Sequence, residues 1–198
     1  MSQHDRHKWD SRYAERTAGG AREASALVRE WVTQAARGHA LDIACGTGRN
    51  AIFLATKGFT VDALDISPVA LAQARETAAA AGVTVNWIEH DLDMPVPVCG
   101  PYRLVIQLHY INAAITRDIP ALLAPGGLFI CQQHLQSAEP VAGPQNAAFR
   151  VVPGELVQLA AELEILHYSE GLCEELDGEH FALAKLVARR TQHATTPT

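Results

Sequence analysis

Leu41-Asp42-Ile43-Ala44-Cys45-Gly46-Thr47-Gly48-Arg49-Asn50-Ala51 is the stretch on which the fold of this chain turns. The residues leading into it, His39 to Ala44, are short and largely apolar, as a buried strand requires. Asn50 to Lys57 then has helical spacing up to a terminating Gly58. Between them Gly46-Thr47-Gly48-Arg49-Asn50-Ala51 fits the pattern GxGxxG/A, which places glycine where a backbone must turn sharply and come close to a ligand. Alone the pattern is weak; set between a strand and a helix it describes a nucleotide-binding turn. Asp65, 17 residues beyond Gly48 at the end of the next apolar run, strengthens it, because a carboxylate has acceptor capacity for both hydroxyls of a ribose.

The same alternation continues on the C-terminal side. A strand is expected at Thr60 to Leu64, followed by a helix with Ser67 as N-cap and Pro68 in its first position, running through an alanine-rich stretch to Gly82. Further strands are expected at Val83 to Ile88, at Tyr102 to Gln107 after the polar loop His90 to Pro101, and at Leu128 to Gln132 after the turn Pro125-Gly126-Gly127. A helix should precede that turn, ending at Leu123. Strands alternating with helices predict a parallel sheet covered on both faces. Upstream, Leu27, Val28, Trp31, Val32 and Ala35 recur at helical spacing within Ala21 to Arg37.

The last third reads differently. Gln133 to Arg150 has prolines, glycines and alanines without a period and is expected to be a long loop, a candidate lid. A helix at Pro153 to Glu162 should follow. Two strands, Leu163 to Tyr168 and His180 to Ala188, flank the acidic turn Cys173 to Glu179 with no crossover helix between them, which predicts an antiparallel hairpin at the sheet edge. We expect one domain over residues 1–190, with residues 1–20 as an N-terminal lid segment and 191–198 as a disordered tail.

Charge and composition narrow the function classes. The 198 residues carry 16 basic and 22 acidic side chains, a formal charge of -6, and no basic block that could lie along phosphates, so no nucleic-acid partner is expected. Cys45, Cys99, Cys131 and Cys173 form no CxxC pair, arguing against a zinc site or a disulfide framework and for a reducing compartment. The start, MSQHDRHKWDSRY, is too polar for a signal peptide, and no apolar run reaches the roughly 18 residues of a bilayer span. A cytoplasmic protein without a membrane partner is expected.

Two further carboxylates separate the candidate ligands. Asp42 precedes Gly46 by four residues, where negative charge suits an ammonium or sulfonium better than a pyrophosphate. Asp91, after the third strand in IEHDLD, can accept from an adenine amino group, and the amide of Leu92 can meet a ring nitrogen. Through LDIACGTGRNA, VDALDIS, IEHDLD and the APGG turn, the chain resembles the class I S-adenosylmethionine-dependent methyltransferases over roughly Trp9 to Arg189. Within them it is similar to the small bacterial tellurite-resistance and thiopurine-type proteins, which share an early segment like Trp9-Asp10-Ser11-Arg12-Tyr13.

The resemblance implies an α/β Rossmann-like three-layer sandwich whose seven-stranded, mostly parallel sheet has the order 3-2-1-4-5-7-6 with strand 7 antiparallel. It implies S-adenosyl-L-methionine as cofactor and S-adenosyl-L-homocysteine as product. Gly46 and Gly48 would admit the cofactor, Asp65 hold its ribose, Asp91 and Leu92 flank adenine, and Gln107 lie beside the methionyl end. Arg12 would meet the methionine carboxylate and Trp9 cover the ligand. Asn50 in the turn and Ile66 after Asp65 complete the set. Ala44 is a departure, standing where many members carry a glycine.

Other conspicuous residues have plainer expectations. Cys45 lacks a neighbouring base and is expected to pack rather than react. His4 and His7 share a helical face without a carboxylate or cysteine, so no metal site is expected, and Trp31 and Trp87 sit in apolar patterns as core residues. For the acceptor, His109 and Tyr110 follow the fourth strand and Gln133 and His134 follow the fifth, at the strand ends where open α/β sheets bind ligands. His109, Tyr110 and His134 are the candidate catalytic groups in a closed pocket for a small-molecule acceptor. No NPPY motif, the mark of amino-group methylation of bases or glutamine, occurs. Two other classes share the glycine turn: an NAD(P)-dependent oxidoreductase, which Asp42 and Asp91 disfavour, and a non-catalytic S-adenosylmethionine-binding module. The sequence carries no sign of oligomeric state.

Overall fold

The computed structural model describes residues 3–15, 23–174 and 180–192. In chain order its elements are α1 (Gln3–Glu15), α2 (Ala26–Trp31), β1 (His39–Ile43), α3 (Arg49–Thr56), β2 (Thr60–Asp65), α4 (Pro68–Ala80) and β3 (Asn86–Glu89). They continue with β4 (Tyr102–Leu108), α5 (Ala113–Leu122), β5 (Leu123–His134), α6 (Glu155–Leu159), β6 (Glu164–Glu174) and β7 (His180–Arg189). The strands form one seven-stranded sheet in the order β3-β2-β1-β4-β5-β7-β6, as the resemblance implies. β7 enters between β5 and β6 and is antiparallel to both.

The sheet is apolar on both faces because its central strands are. Along β1 and β4, Leu41, Ile43 and Val105 face one way, into a layer with Ile115 and Ile119 of α5 and Leu156 of α6. Ala40, Leu104 and Ile106 face the other way, against Val28 of α2, Leu54 of α3 and Leu71 of α4. Burial on both sides is what near-continuous apolar strands demand. Two helix starts are fixed by side-chain caps: Ser67 Oγ accepts from the Ala70 N–H at 3.1 Å, and Asn112 Oδ1 accepts from the Ala114 N–H at 3.1 Å.

Several boundaries differ from the sequence expectation. In place of a helix over Ala21 to Arg37 there is the six-residue α2 and a 3-10 turn, Val32–Gln34. Its buried face needs only Leu27, Val28 and Val32. The helix expected at Pro153 to Glu162 is the five-residue α6, enough to bury Leu156 and Leu159. β5 begins at Leu123 because Pro125-Gly126-Gly127 is accommodated inside it: Tyr102 pairs with Leu123, yet Leu104 pairs with Leu128. β6 runs on to Glu174, beyond the expected Tyr168. Most of the acidic turn and of the tail, and residues 16–20 of the lid segment, lie outside the described residues.

Candidate functional site

The carboxyl ends of β1, β2, β4 and β5 gather the residues singled out in the sequence. After β1 the backbone enters the left-handed region three times, at Ala44 (φ 59°), Gly46 (φ 55°) and Gly48 (φ 77°). Asp65 fastens this turn: one of its oxygens accepts from the Gly46 N–H at 2.7 Å and the other from the Ser67 N–H at 2.9 Å. Burial raises its pKa, against the pull of these backbone donors. Asp42, 2% exposed, has a carboxylate oxygen without a hydrogen-bond partner. Burial, then the charge of Asp65, push its pKa up to about 8, opposed by the Ala51 N–H and by Arg49.

The two glycines of the turn do different work. A Cβ on Gly46 would stand 2.8 Å from the Tyr13 hydroxyl, so this glycine lets Tyr13 of α1 lie close over the turn. A Cβ on Gly48 would enter the Trp87 ring and lie 3.1 Å from the Ala74 Cβ, which makes Gly48 a helix-to-sheet packing position. Asn50 ties the end of the turn to the start of α2, its Oδ1 accepting from the Ser25 N–H at 2.9 Å.

α1 lies over this region and is polar on all sides. The Ser67 hydroxyl donates to Asp10 at 2.5 Å, Gln73 Nε2 donates to the Tyr13 carbonyl at 3.1 Å, and Arg6 pairs with Glu89 at 2.6 Å. Trp9 stacks on Tyr13 with ring centroids 5.9 Å apart, and the Arg12 guanidinium sits 5.2 Å from the Trp9 ring. Lys8 lies 5.5 Å above the Phe149 ring, so α1 also touches the loop after β5. Of these groups, sequence reasoning missed Asp10, Ser67 as a latch partner, and Gln73; single polar residues carry no periodic signal.

On the far side of the turn, Asp91 accepts from the Asp93 N–H at 3.0 Å, a local turn that orders the loop after β3. Leu92 is buried and its carbonyl accepts from Asn112 Nδ2 at 3.1 Å, while Ile66 is buried beside Asp65. Gln107, fully buried, accepts from the Thr116 hydroxyl at 3.0 Å; its Nε2 has no partner.

His109 and His134 come together at the ends of β4 and β5, with ring centroids 4.8 Å apart. His109 adopts φ 57°, held there by its N–H donating to the Gln132 carbonyl at 2.7 Å, and its Nε2 lies 3.2 Å from Gln132 Nε2. Gln133 Nε2 ties the strand ends, donating to the carbonyls of Tyr110 at 2.8 Å and Gln107 at 3.1 Å. The Tyr110 side chain is half-buried against the core. His134 is walled by Phe181, 5.9 Å between centroids, and by Gly143, and its Nδ1 is buried without a partner.

Arg150, also missed in the sequence, pins the surrounding loop by donating to three carbonyls: Pro144 at 2.7 Å, Leu135 at 2.9 Å and Ala142 at 3.0 Å. Desolvation, then Arg150 and Arg12, hold the His134 imidazole down to about 4. Desolvation by the cleft walls, then His134 and Arg49, likewise hold His109 far below the usual histidine range, although its outer face is open to water. Both rings are therefore neutral at pH 7. Among the described residues, no cluster of three or more His, Cys, Asp or Glu is arranged to hold a metal ion, and no helix is long and apolar enough to cross a membrane.

Known proteins resemble this chain both in part of its sequence and in its fold. Residues 40–127, from β1 through the turn inside β5, match the family described as Methyltransferase domain. The chain is similar in structure to TehB from Haemophilus influenzae, with a TM-score of 0.74 and 18% identity over 92% of this chain and 67% of that one. Residues 40–127 are thus similar to a methyltransferase domain, and the fold of the whole is that of TehB.

Two further proteins bear on the particulars. A release factor glutamine methyltransferase from Deinococcus radiodurans is 31% identical over 176 residues, 80% of this chain and 62% of its own length. A 1,6-didemethyltoxoflavin-N1-methyltransferase from Burkholderia thailandensis, solved with 1,6-didemethyltoxoflavin and S-adenosylhomocysteine bound, superposes with a TM-score of 0.66 and 20% identity over 96% of this chain and 91% of that one. The chain spans roughly half to three fifths of the length of the first curated relatives it matches.

Proposed function

We propose that this chain is a methyltransferase that takes S-adenosylmethionine into the cradle formed by the glycine turn, Asp42, Asp65 and α1, and passes the methyl group to a small-molecule acceptor. The observation that carries the cofactor assignment is Asp42: a buried carboxylate oxygen without a donor, beside a left-handed turn over which Tyr13 of α1 lies. A cationic ligand supplies what that oxygen lacks. We read residues 1–190 as one domain with its N-terminal segment as cover.

When bound, the cofactor supplies a sulfonium methyl whose carbon–sulfur bond breaks, its electron pair passing to sulfur, as the acceptor's lone pair forms the new bond. The protein's part is chiefly to position and to exclude water. Asp65 retains acceptor capacity for ribose beyond its two backbone bonds, while Asp91, Leu92 and Ile66 flank the base. Asp42 and Gln107 serve the methionyl end, Arg12 its carboxylate and Trp9 the cover. Ala44, Gly46, Gly48 and Asn50 shape the turn. His109, His134 and Tyr110 line the acceptor side, where a neutral imidazole can take a proton if the acceptor must lose one.

A small acceptor fits the walls of this side better than a protein loop does. Gly143 and Phe181 close on His134, and the loop carrying Phe149 meets Lys8 of α1. The absence of an NPPY motif argues against the glutamine acceptor of the Deinococcus relative. Calorimetry with S-adenosylhomocysteine and with NADH tests the cofactor: tight binding of the first and none of the second is expected, and the reverse refutes the reading. Screening acceptors for release of S-adenosylhomocysteine then tests transfer.

A further inference from the structure

His109 is held more closely than a residue that only lines a cleft needs to be. It follows β4 directly, in the left-handed backbone region at φ 57°, which a residue with a Cβ occupies only where its surroundings enforce it. The enforcing residue is Gln132, which pairs with Leu108 between β4 and β5 and is 3% exposed. It grips His109 twice. Its carbonyl accepts from the His109 N–H at 2.7 Å, and its side-chain Nε2 lies 3.2 Å from the His109 Nε2. The first contact sets the backbone and the second sets the ring.

A neutral imidazole has one N–H and one lone pair, and the nitrogen that accepts a hydrogen bond does not carry the hydrogen. An amide N–H directed at Nε2 therefore leaves the ring proton on Nδ1. Among the described residues no hydrogen bond reaches the His109 Nδ1, and the residue as a whole is exposed, so this nitrogen is the one left for a ligand. Burial against the cleft walls, then His134 and Arg49, keep the ring uncharged at pH 7, which makes its tautomer decide what it offers. Nothing comparable fixes His134, 4.8 Å away between ring centroids, whose Nδ1 is buried without a partner.

We infer that Gln132 is a positioning residue: by donating to Nε2 it fixes His109 as the Nδ1–H tautomer, so that the ring offers the methyl acceptor a hydrogen-bond donor and not a base. This rests on the methyltransferase reading for what the donor meets, and it narrows the role of His109 within that reading. The one lone pair of the ring is engaged by a buried amide. An acceptor molecule served by His109 therefore presents an oxygen or nitrogen lone pair to Nδ1, and any proton it must lose goes to another group. The strained backbone and the amide then have one purpose, to deliver the ring at the strand end with a chosen nitrogen outward.

NMR of the full, cofactor-free chain with isotope-labelled histidine rings reads this directly at pH 8, because the two ring nitrogens have different shifts in each tautomer; His109→Asn assigns the signals. The Nδ1–H form is expected for His109 in the wild type. Gln132→Glu puts an acceptor where the donor stood, so the proton is expected to move to Nε2 and the ring to titrate at higher pH, with His134 and Arg49 unchanged around it. Gln132→Met keeps the backbone bond and a similar volume without a donor, and is expected to release the ring to a mixture of tautomers; it carries the test if Gln132→Glu does not fold. A base role needs the lone pair at Nδ1, so the Nε2–H form in the wild type overturns the inference, as does a tautomer that is the same in the wild type and in Gln132→Met. Failure of the wild type to bind S-adenosylhomocysteine strikes the methyltransferase reading instead, while the tautomer, measured without cofactor, still reports on Gln132.

Discussion

Asp42→Asn in the cofactor-free protein isolates the cost of burying a carboxylate whose oxygen has no donor. The folded pKa is about 8, against 3.8 for the free group, so between these values the folded state keeps a proton that the unfolded state releases. Stability therefore falls as pH rises from about 4 to about 8, the opposite of a salt-bridged carboxylate. At about 1.36 kcal/mol per pH unit, the roughly four units between the free pKa and pH 8 set a ceiling of about 5 kcal/mol. Water entry and relaxation around an ionised group reduce this to about 1–2 kcal/mol. Asparagine keeps the shape and never ionises. Its thermal midpoint is expected to exceed the wild type's by about 2–8 °C at pH 8, with the gap closing at pH 5, where Asp42 is protonated. Titrations of groups distant from Asp42 are common to the two chains and cancel. Scanning calorimetry at pH 5, 6.5 and 8 measures it; a gap that is independent of pH, or a less stable variant at pH 8, refutes the reasoning.

Gly48→Ala drives a methyl into Trp87 from a left-handed backbone and is expected to cost about 2–4 kcal/mol in urea unfolding, by overpacking and strain together. Gly46→Ala meets only the Tyr13 hydroxyl above it, so its main effect is to weaken S-adenosylhomocysteine binding and speed proteolysis within α1. Asp65→Ala removes the acceptor for two turn amides as well as for ribose; calorimetry should show binding lost, and unfolding a stability loss of about 3 kcal/mol, at roughly 1.5 per charged hydrogen bond. His109→Gly relieves the φ 57° strain that His109→Ala retains, so the glycine variant is expected to be about 1 kcal/mol the more stable. Both variants, and His134→Ala, should lower turnover while leaving S-adenosylhomocysteine affinity unchanged.

What the sequence made legible is what repeats or what only glycine allows. The parallel sheet followed from alternation up to β5 and the antiparallel edge from the missing crossover before β7, because apolar runs and turns are periodic signals, whereas the strand order came with the resemblance to the methyltransferases. Asp65 was found by its distance from Gly48, but its role as the anchor of the Gly46 and Ser67 amides was invisible, since it depends on where the turn folds back. Gly48 was read as a ligand position, and its packing on Trp87, from β3 beside β2, was not foreseen. α1 shows no amphipathic stripe, so only its likeness to WDxRY segments drew notice. Arg150 gave no signal at all: its three acceptors are backbone carbonyls, which no side-chain pattern encodes.

The loop that Arg150 fastens begins and ends at one spot. Leu135 and Val151 form an isolated parallel bridge, with the Val151 N–H donating to the His134 carbonyl at 2.8 Å and the Gln136 N–H to the Val151 carbonyl at 2.9 Å. Residues 136–150 are thus a closed excursion from the sheet, stapled at its base and braced by its own last side chain. Such a segment behaves as a cassette. Its remaining ties to the body are few, the Ala142 N–H bond to the His180 carbonyl at 2.8 Å, Gly143 against His134 and Phe149 under Lys8, and none reaches the strand that carries the glycine turn. Acceptor choice and cofactor use would then be separable in engineering, one written in a replaceable insert and the other in the frame.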